Sequence, residues 1–560
     1  MTAPPRPSSS RALSALIAAS AFSAAAVVAA ANPAHAQSRI ASAPHDIQVL
    51  SPSDPFPPLG GGLNGQPAYS LDYAFADAMV NAGPFRNLSY TVLNLPPDAF
   101  PAQDFVFYVQ ENTPAQAGVY KIVLVARQQP TISREFAAGT ISNIVWTPNT
   151  HTLNGQSYGT LRADWTVPTG GNTMVLSVKN AGNSGGQSGV AALHVYRPGV
   201  DPTNPGLYSP AYLNFLLARK PAALRFMDYH DTNGNTEVSW SERTKPTDPT
   251  QNTSLTRIFR TESSDPLGTD QSFTGGRGIS WEYAVGLCNA LNCDLWVNVP
   301  VGADDDYVRS LAQLIRDGST LVDSLGVARS YPGLKPGLKV YVEYSNEVWN
   351  DGFMQTKVNR QAAVNEVVAQ NGTANPSDLN YDNISVTVSG GHYQGWVTWG
   401  DRRVARRIKQ ISDIFTQEFG AGSLGTRVRP VFAYQVGNVS RYKDPLRYLN
   451  AVYGPPSNYL WAVAGAPYFA CGNGQGADAR TNLTPTQVLN ELKKDVDAWR
   501  DNGALNDLAT LASFYNLKVV AYEGGPDTFG GNNIAAKKAA SLDPRMKDGV
   551  KQYLDTWYSQ

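Results

Sequence analysis

From residue 190 onward, short apolar runs of strand length alternate with stretches whose apolar residues recur at helical spacing. Few architectures accept that alternation. Residues 190–196, 224–227, 295–300, 339–344, 428–434, 459–464 and 517–522 read as strands. Most are apolar at nearly every position, as strands covered on both faces are. A helix near 210–218 is capped by Ser209, with Pro210 in its first turn. Another covers 279–291. Asp304-Asp305-Asp306 opens a third, with Val308, Leu311 and Ile315 on one stripe. Val404, Ile408, Ile411 and Phe415 mark a fourth, and Val488, Leu492 and Trp499 follow Pro485 in a fifth. A last helix covers about 545–557. Residues 351–399 read as an irregular insertion. Strand–helix–strand repetition demands a parallel sheet covered by helices. The chain is thus expected to be α/β. Seven ordered strands, with no G-x-G-x-x-G or Walker loop, favour a (β/α)8 TIM-type barrel over an open nucleotide-binding sheet. An eighth strand is not found: either the strand count is off by one, or the barrel is truncated or closed by another segment.

Upstream the period changes. Residues 37–188 read as all-β. Met174, Leu176 and Val178 alternate onto one face, and 104–110, 118–126 and 143–147 are β-branched or aromatic runs bounded by Pro, Gly and Asn. Strands this short and this closely spaced suggest a β-sandwich. The stretch Gly182-Asn-Ser-Gly-Gly-Gln-Ser-Gly189 would link it to the barrel. At the N-terminus, Arg6 and Arg11 precede an Ala-rich apolar stretch over 12–31, and Ala34-His35-Ala36 is a small-residue cleavage site. The expected organisation is a signal peptide over 1–36, a β-sandwich over 37–188 and the barrel over 189–560. No later run approaches the roughly 18 apolar residues of a membrane span. The mature protein is expected to be secreted or periplasmic, with no membrane association.

Composition narrows the function. Of the 560 residues, 16% are charged and 10% aromatic, and the formal net charge is −1. That excludes an electrostatic nucleic-acid binder and suits neutral ligands. A hydrophobic fraction of 42% excludes wholesale disorder. Three cysteines exclude a disulfide scaffold. Cys288 and Cys293 admit either a local disulfide or two buried thiols, with Cys471 left over. Asp231-Thr232-Asn233-Gly234-Asn235, continued to Glu242, matches part of an EF-hand loop, but Thr236 stands where the turn needs glycine. No metal or other cofactor is expected.

Two glutamates carry the chemistry. Glu347, in Tyr344-Ser-Asn-Glu-Val-Trp-Asn350, ends the fourth expected strand, and Glu523, in Val520-Ala-Tyr-Glu-Gly-Gly525, ends the seventh. In a parallel barrel, strand C-termini share one face and point at the substrate. Glycoside hydrolysis needs two carboxyl groups flanking one bond, one to protonate the leaving oxygen and one to attack or to activate water. Asp228, just beyond strand two, is placed to bind sugar hydroxyls or to cap its loop.

Asn346-Glu347 and Glu523, in that strand order, resemble the catalytic pair of the clan A glycoside hydrolases, which are retaining (β/α)8-barrel enzymes. Leu224-Arg-Phe-Met-Asp228, Trp296-Val-Asn-Val-Pro300 and Tyr344–Asn350 further resemble a bacterial secreted group often labelled cellulose-binding or carbohydrate-binding proteins. The resemblance covers about 190–560. It implies Glu347 as general acid/base, Glu523 as nucleophile and Asn346 as a contact to the sugar hydroxyl beside the reacting carbon. It also implies Arg225 against the nucleophile and Tyr468 hydrogen-bonded to it. Trp349, two residues after Glu347, is the candidate stacking platform for a sugar ring. The expected partner is a β-linked poly- or oligosaccharide. The alternative is a carbohydrate-binding protein on a hydrolase-like scaffold without turnover.

Overall fold

The computed structural model describes residues 59–111, 113–135, 139–170, 173–261, 268–471, 482–528 and 532–559. The expected leader over 1–36 lies outside them. The chain is a mixed α/β protein around a curled sheet of seven parallel strands in chain order. These are β1 (Gly61–Gly62), β2 (Ala223–Arg225), β3 (Asp294–Val299), β4 (Val340–Tyr344), β5 (Val428–Ala433), β6 (Ala462–Gly465) and β7 (Lys518–Ala521). Each pairs in parallel with the next.

Alternation along these strands sorts their side chains into two layers. Ala223, Trp296, Tyr341, Val431, Ala462, Ala464 and Val520 form one interior cluster drawing on every strand from β2 to β7. Leu224, Leu295, Val297, Val340, Val342, Val428 and Val463 point the other way, into the layer shared with the helices. Both faces are therefore dry, which is why the strands read as apolar runs. The covering helices include α1 (Pro210–Arg219), α2 (Trp281–Leu291), α3 (Asp305–Asp317), α4 (Met354–Gln370) and α5 (Trp396–Phe419). The Ser209 hydroxyl accepts from the Tyr212 amide at the start of α1, and Asp304 does the same for Tyr307 at the start of α3.

Two expectations change. Residues Val190–Tyr196 are a strand, but they pair antiparallel with Gly118–Ala126 and not with the parallel sheet. The antiparallel region thus runs past the boundary expected at 188. The run misleads because both its faces are covered, by Val190, Leu193 and Val195 on one side and Ala191 and Ala192 on the other. The first parallel strand is instead Gly61–Gly62, in register with Leu224 and Arg225. Second, the insertion over 351–399 contains α4. Its buried face carries Gln355, Thr356, Asn359, Arg360 and Gln361 in its first turns and Ala363, Val364 and Val367 further on, so the apolar stripe lies mainly in its second half. No eighth strand joins the sheet among the described residues, in line with the seven strands counted from sequence, although one of those seven is replaced. Leu59, just before β1, packs on a cluster that includes Phe469, Val488, Met546 and Val550. Helices after β6 and β7 therefore lie beside the sheet's first strand.

Between β1 and β2 lie two antiparallel sheets. One orders its strands Thr140–Leu153, Gln156–Val167, Gly118–Ala126 and Val190–Tyr196. The other orders Phe105–Gln110, Met174–Lys179 and Thr131–Arg134. Phe107, Leu176, Tyr120, Leu124, Trp165 and Val195, drawn from both, share one apolar cluster.

Candidate active site

The sheet's curl brings strand ends that are remote in sequence into contact. Arg225 ends β2 with its side chain 5% exposed, and all its polar atoms are engaged. Nε and Nη2 donate to the two oxygens of Glu343 at 2.9 and 3.0 Å. Nη2 also donates to Asn346 Oδ1 at 2.8 Å, and Nη1 donates to Glu523 Oε1 at 2.6 Å. Glu523, two residues past β7, accepts at its other oxygen from the Tyr468 hydroxyl at 2.7 Å. A guanidinium and a phenol thus fix both oxygens of one carboxylate. Burial alone would weaken the Arg225 charge, but Glu343 and Glu523 outweigh it and the guanidinium holds its proton more tightly than usual.

Glu347 follows β4 in a turn where Ser345 and Glu347 both take left-handed backbone, with φ of 55° and 43°. Non-glycine residues adopt that region at a cost of about 1 kcal/mol or more each, and such strain gathers at functional sites. The turn carries Glu347 off the strand axis. Its oxygens accept from Asn350 Nδ2 at 2.9 Å and from the Tyr522 hydroxyl at 3.3 Å. Burial first, and the charge of Glu523 second, push its carboxyl up to about 7. Asp228 is raised to about 7 by the same causes in the same order. Burial also raises Glu343, partly offset by Arg225. Four carboxyl groups thus surround one guanidinium, and the two it does not bind are the ones pushed to about 7.

The expected site residues separate into groups. Arg225, Asn346, Tyr468 and Glu523 form one hydrogen-bonded cluster, and the Glu523 charge acts on Glu347 and Asp228. Asn346 is only 2% exposed, and its amide is engaged at both ends, by Arg225 and by Asn233 at 2.9 Å. Trp349 is half-buried, packed on the outer core with its ring centre 6.1 Å from that of Tyr434. Three residues were missed. Glu343 and Tyr522 are visible in hindsight, the first as the lone charge in β4 and the second as the neighbour of Glu523. Asn233 was noted only as part of the calcium-like loop, and nothing in that polar stretch ties it to Asn346.

The carboxylates of the calcium-like loop have other partners. Asp231 Oδ2 accepts from the Gly276 amide at 2.6 Å, while Glu242 accepts from the Val238 and Ser239 amides and pairs with Arg257. Among the described residues, no group of three His, Cys, Asp or Glu is arranged to hold a metal. Cys288, Cys293 and Cys471 are buried and not disulfide-bonded. No described helix is long and apolar enough to cross a membrane.

The fold and site define an α/β protein with a cation-held carboxyl cluster at the C-terminal edge of a curled parallel sheet. Among solved structures, the chain is similar to the GH51 arabinofuranosidase from Xanthomonas axonopodis pv. citri, at 11% identity and a TM-score of 0.33. The match covers 62% of this chain and 58% of that one, less than two thirds of its length. A likeness this slight fixes neither fold nor activity. No protein-family model and no curated protein matches the chain.

Proposed function

We propose that the protein is a retaining glycoside hydrolase acting on a β-linked poly- or oligosaccharide. Glu347 is its acid/base and Glu523 its nucleophile. The observation that carries this is the opposed environment of the two glutamates. Glu523 has one oxygen held by the Arg225 guanidinium and the other by the Tyr468 hydroxyl, while Glu347 lacks a cation on its oxygens among the described residues, and burial and the Glu523 charge push it up to about 7. One carboxyl ready to attack and one ready to protonate a leaving oxygen is the division of labour that glycoside cleavage needs. The Ala-rich leader supports export, and the two antiparallel sheets are proposed to form a β-sandwich domain beside the hydrolase unit. The low charge supports a neutral saccharide as partner.

The test is hydrolysis of a panel of p-nitrophenyl β-D-glycosides and soluble β-glucans by wild type and the Glu347→Gln and Glu523→Gln variants. Wild type should turn over at least one member with retained anomeric configuration, read by NMR. Both variants should lose at least about a thousandfold in kcat/KM on an unactivated glucan. Equal behaviour of wild type and Glu347→Gln on every substrate sinks the catalytic reading. The second reading, saccharide binding without turnover, is favoured by Asn346. Its buried amide is held at both ends and so is not an open contact for a sugar hydroxyl.

A further inference from the structure

The engagement of Asn346 has a directional consequence one residue further out. Arg225 can only donate, so Asn346 must turn its oxygen to Arg225 and its NH2 to Asn233. Asn233 must then present its oxygen. Gln355 Nε2 donates to that same oxygen at 2.7 Å. Two donors on one side of the Asn233 amide leave its NH2 facing the other way. Asn346 and Gln355 are buried and Asn233 is half-buried, so Asn233 is the outermost member of this chain of amides.

The loop that carries it is clamped. The Gly234 amide closes a turn on the Asp231 carbonyl at 2.8 Å, and Asp231 Oδ2 accepts from the Gly276 amide. Gly275 lies so close that a Cβ there would come within 1.5 Å of the Gly234 carbonyl oxygen. The hairpin strand Thr269–Gly276 therefore fixes the turn, and the turn aims the amide. An oriented NH2 at the outer end of this cluster is a ready donor to a neutral acceptor, and a hydroxyl oxygen is what a saccharide offers.

We propose that Asn233 is a substrate-binding residue whose amide NH2 donates to a hydroxyl oxygen of the bound saccharide. The proposal rests on the saccharide site argued above. It is tested by calorimetric titration of cellohexaose, xylohexaose and laminarihexaose into the full chain carrying Glu347→Gln, which prevents turnover. Asn233→Asp and Asn233→Ala are then compared on the tightest ligand. Asn233→Asp keeps an acceptor for Asn346 and Gln355 but exchanges the NH2 for an oxygen and adds a carboxyl charge, so Asn233→Ala, which removes the NH2 without adding charge, is its control. Both variants should weaken binding about tenfold, and Asn233→Asp should still unfold in one cooperative transition. Wild-type affinity in Asn233→Asp, with loss only in Asn233→Ala, overturns the proposal and makes Asn233 a brace for Asn346. Failure of all three hexasaccharides to bind also overturns it. The hydrolase reading fails separately, through unchanged hydrolysis in Glu347→Gln, and can do so while the Asn233 result stands.

Discussion

Replacing Glu347 by Gln should change how stability depends on pH, by an amount that follows from where the carboxyl sits. Burial, and then the charge of Glu523, move it from the usual 4.5 up to about 7. At about 1.4 kcal/mol for each tenfold change in proton affinity, ionising Glu347 is about 3 kcal/mol harder in the folded protein than in the unfolded chain. The folded state therefore binds this proton more tightly. The resulting stability is complete below about pH 4.5 and is lost as pH rises through about 7. Glutamine has no proton to lose. Wild type should thus fall relative to Glu347→Gln by about 3 kcal/mol across that window, and the two should run parallel at higher pH. Asp228 is also raised to about 7, but its causes do not include Glu347, so it drops out of the difference. Urea unfolding at half-unit steps from pH 4 to 8 reads the effect directly, provided the m-values agree. A constant gap between the two proteins across the window would refute the claim that the fold holds this carboxyl protonated.

Three further outcomes follow from the same geometry. Tyr468→Phe removes the hydroxyl that donates to Glu523, and should lower kcat about tenfold to a hundredfold with little change in melting temperature. Arg225→Met leaves Glu343 and Glu523 without their shared cation and should destabilise by about 3–5 kcal/mol. Adding Glu343→Leu should recover part of that loss, and additive denaturation energies would show that the pair is not coupled. Gly275→Ala forces a methyl against the Gly234 carbonyl and should cost about 2 kcal/mol or more in thermal unfolding. A melting temperature equal to wild type would mean that the turn and hairpin are not clamped.

The legible parts of the fold are those with a period. Leu295, Val297 and Val299, or Val340 and Val342, stand in runs that only a doubly covered strand explains, and they lie in β3 and β4. Gly61–Gly62 carries no side chain, so nothing in its residues announces a strand; only its pairing with Leu224 and Arg225 makes it one. Val190–Tyr196 was legible as a strand but not as a member of its sheet, because covered strands read alike whichever neighbour they pair with. Helix α4 was hidden because polar side chains fill most of the buried face of its first turns.

The site divides in the same way. By itself, the amino-acid sequence determined that Glu347 and Glu523 stand at strand ends, and that strand ends of a parallel sheet share an edge. The resemblance implied Arg225 against Glu523, a contact made across 298 positions; only the tertiary structure decided that the same guanidinium is gripped by Glu343 and Asn346. It likewise decided that Glu347, unbound by that cation and buried, is pushed up to about 7. The physical reason is one of range. Side-chain periodicity records which face of an element is dry. What a charge meets there, and so which carboxyl keeps its proton, depends on partners that the curl of the sheet brings together.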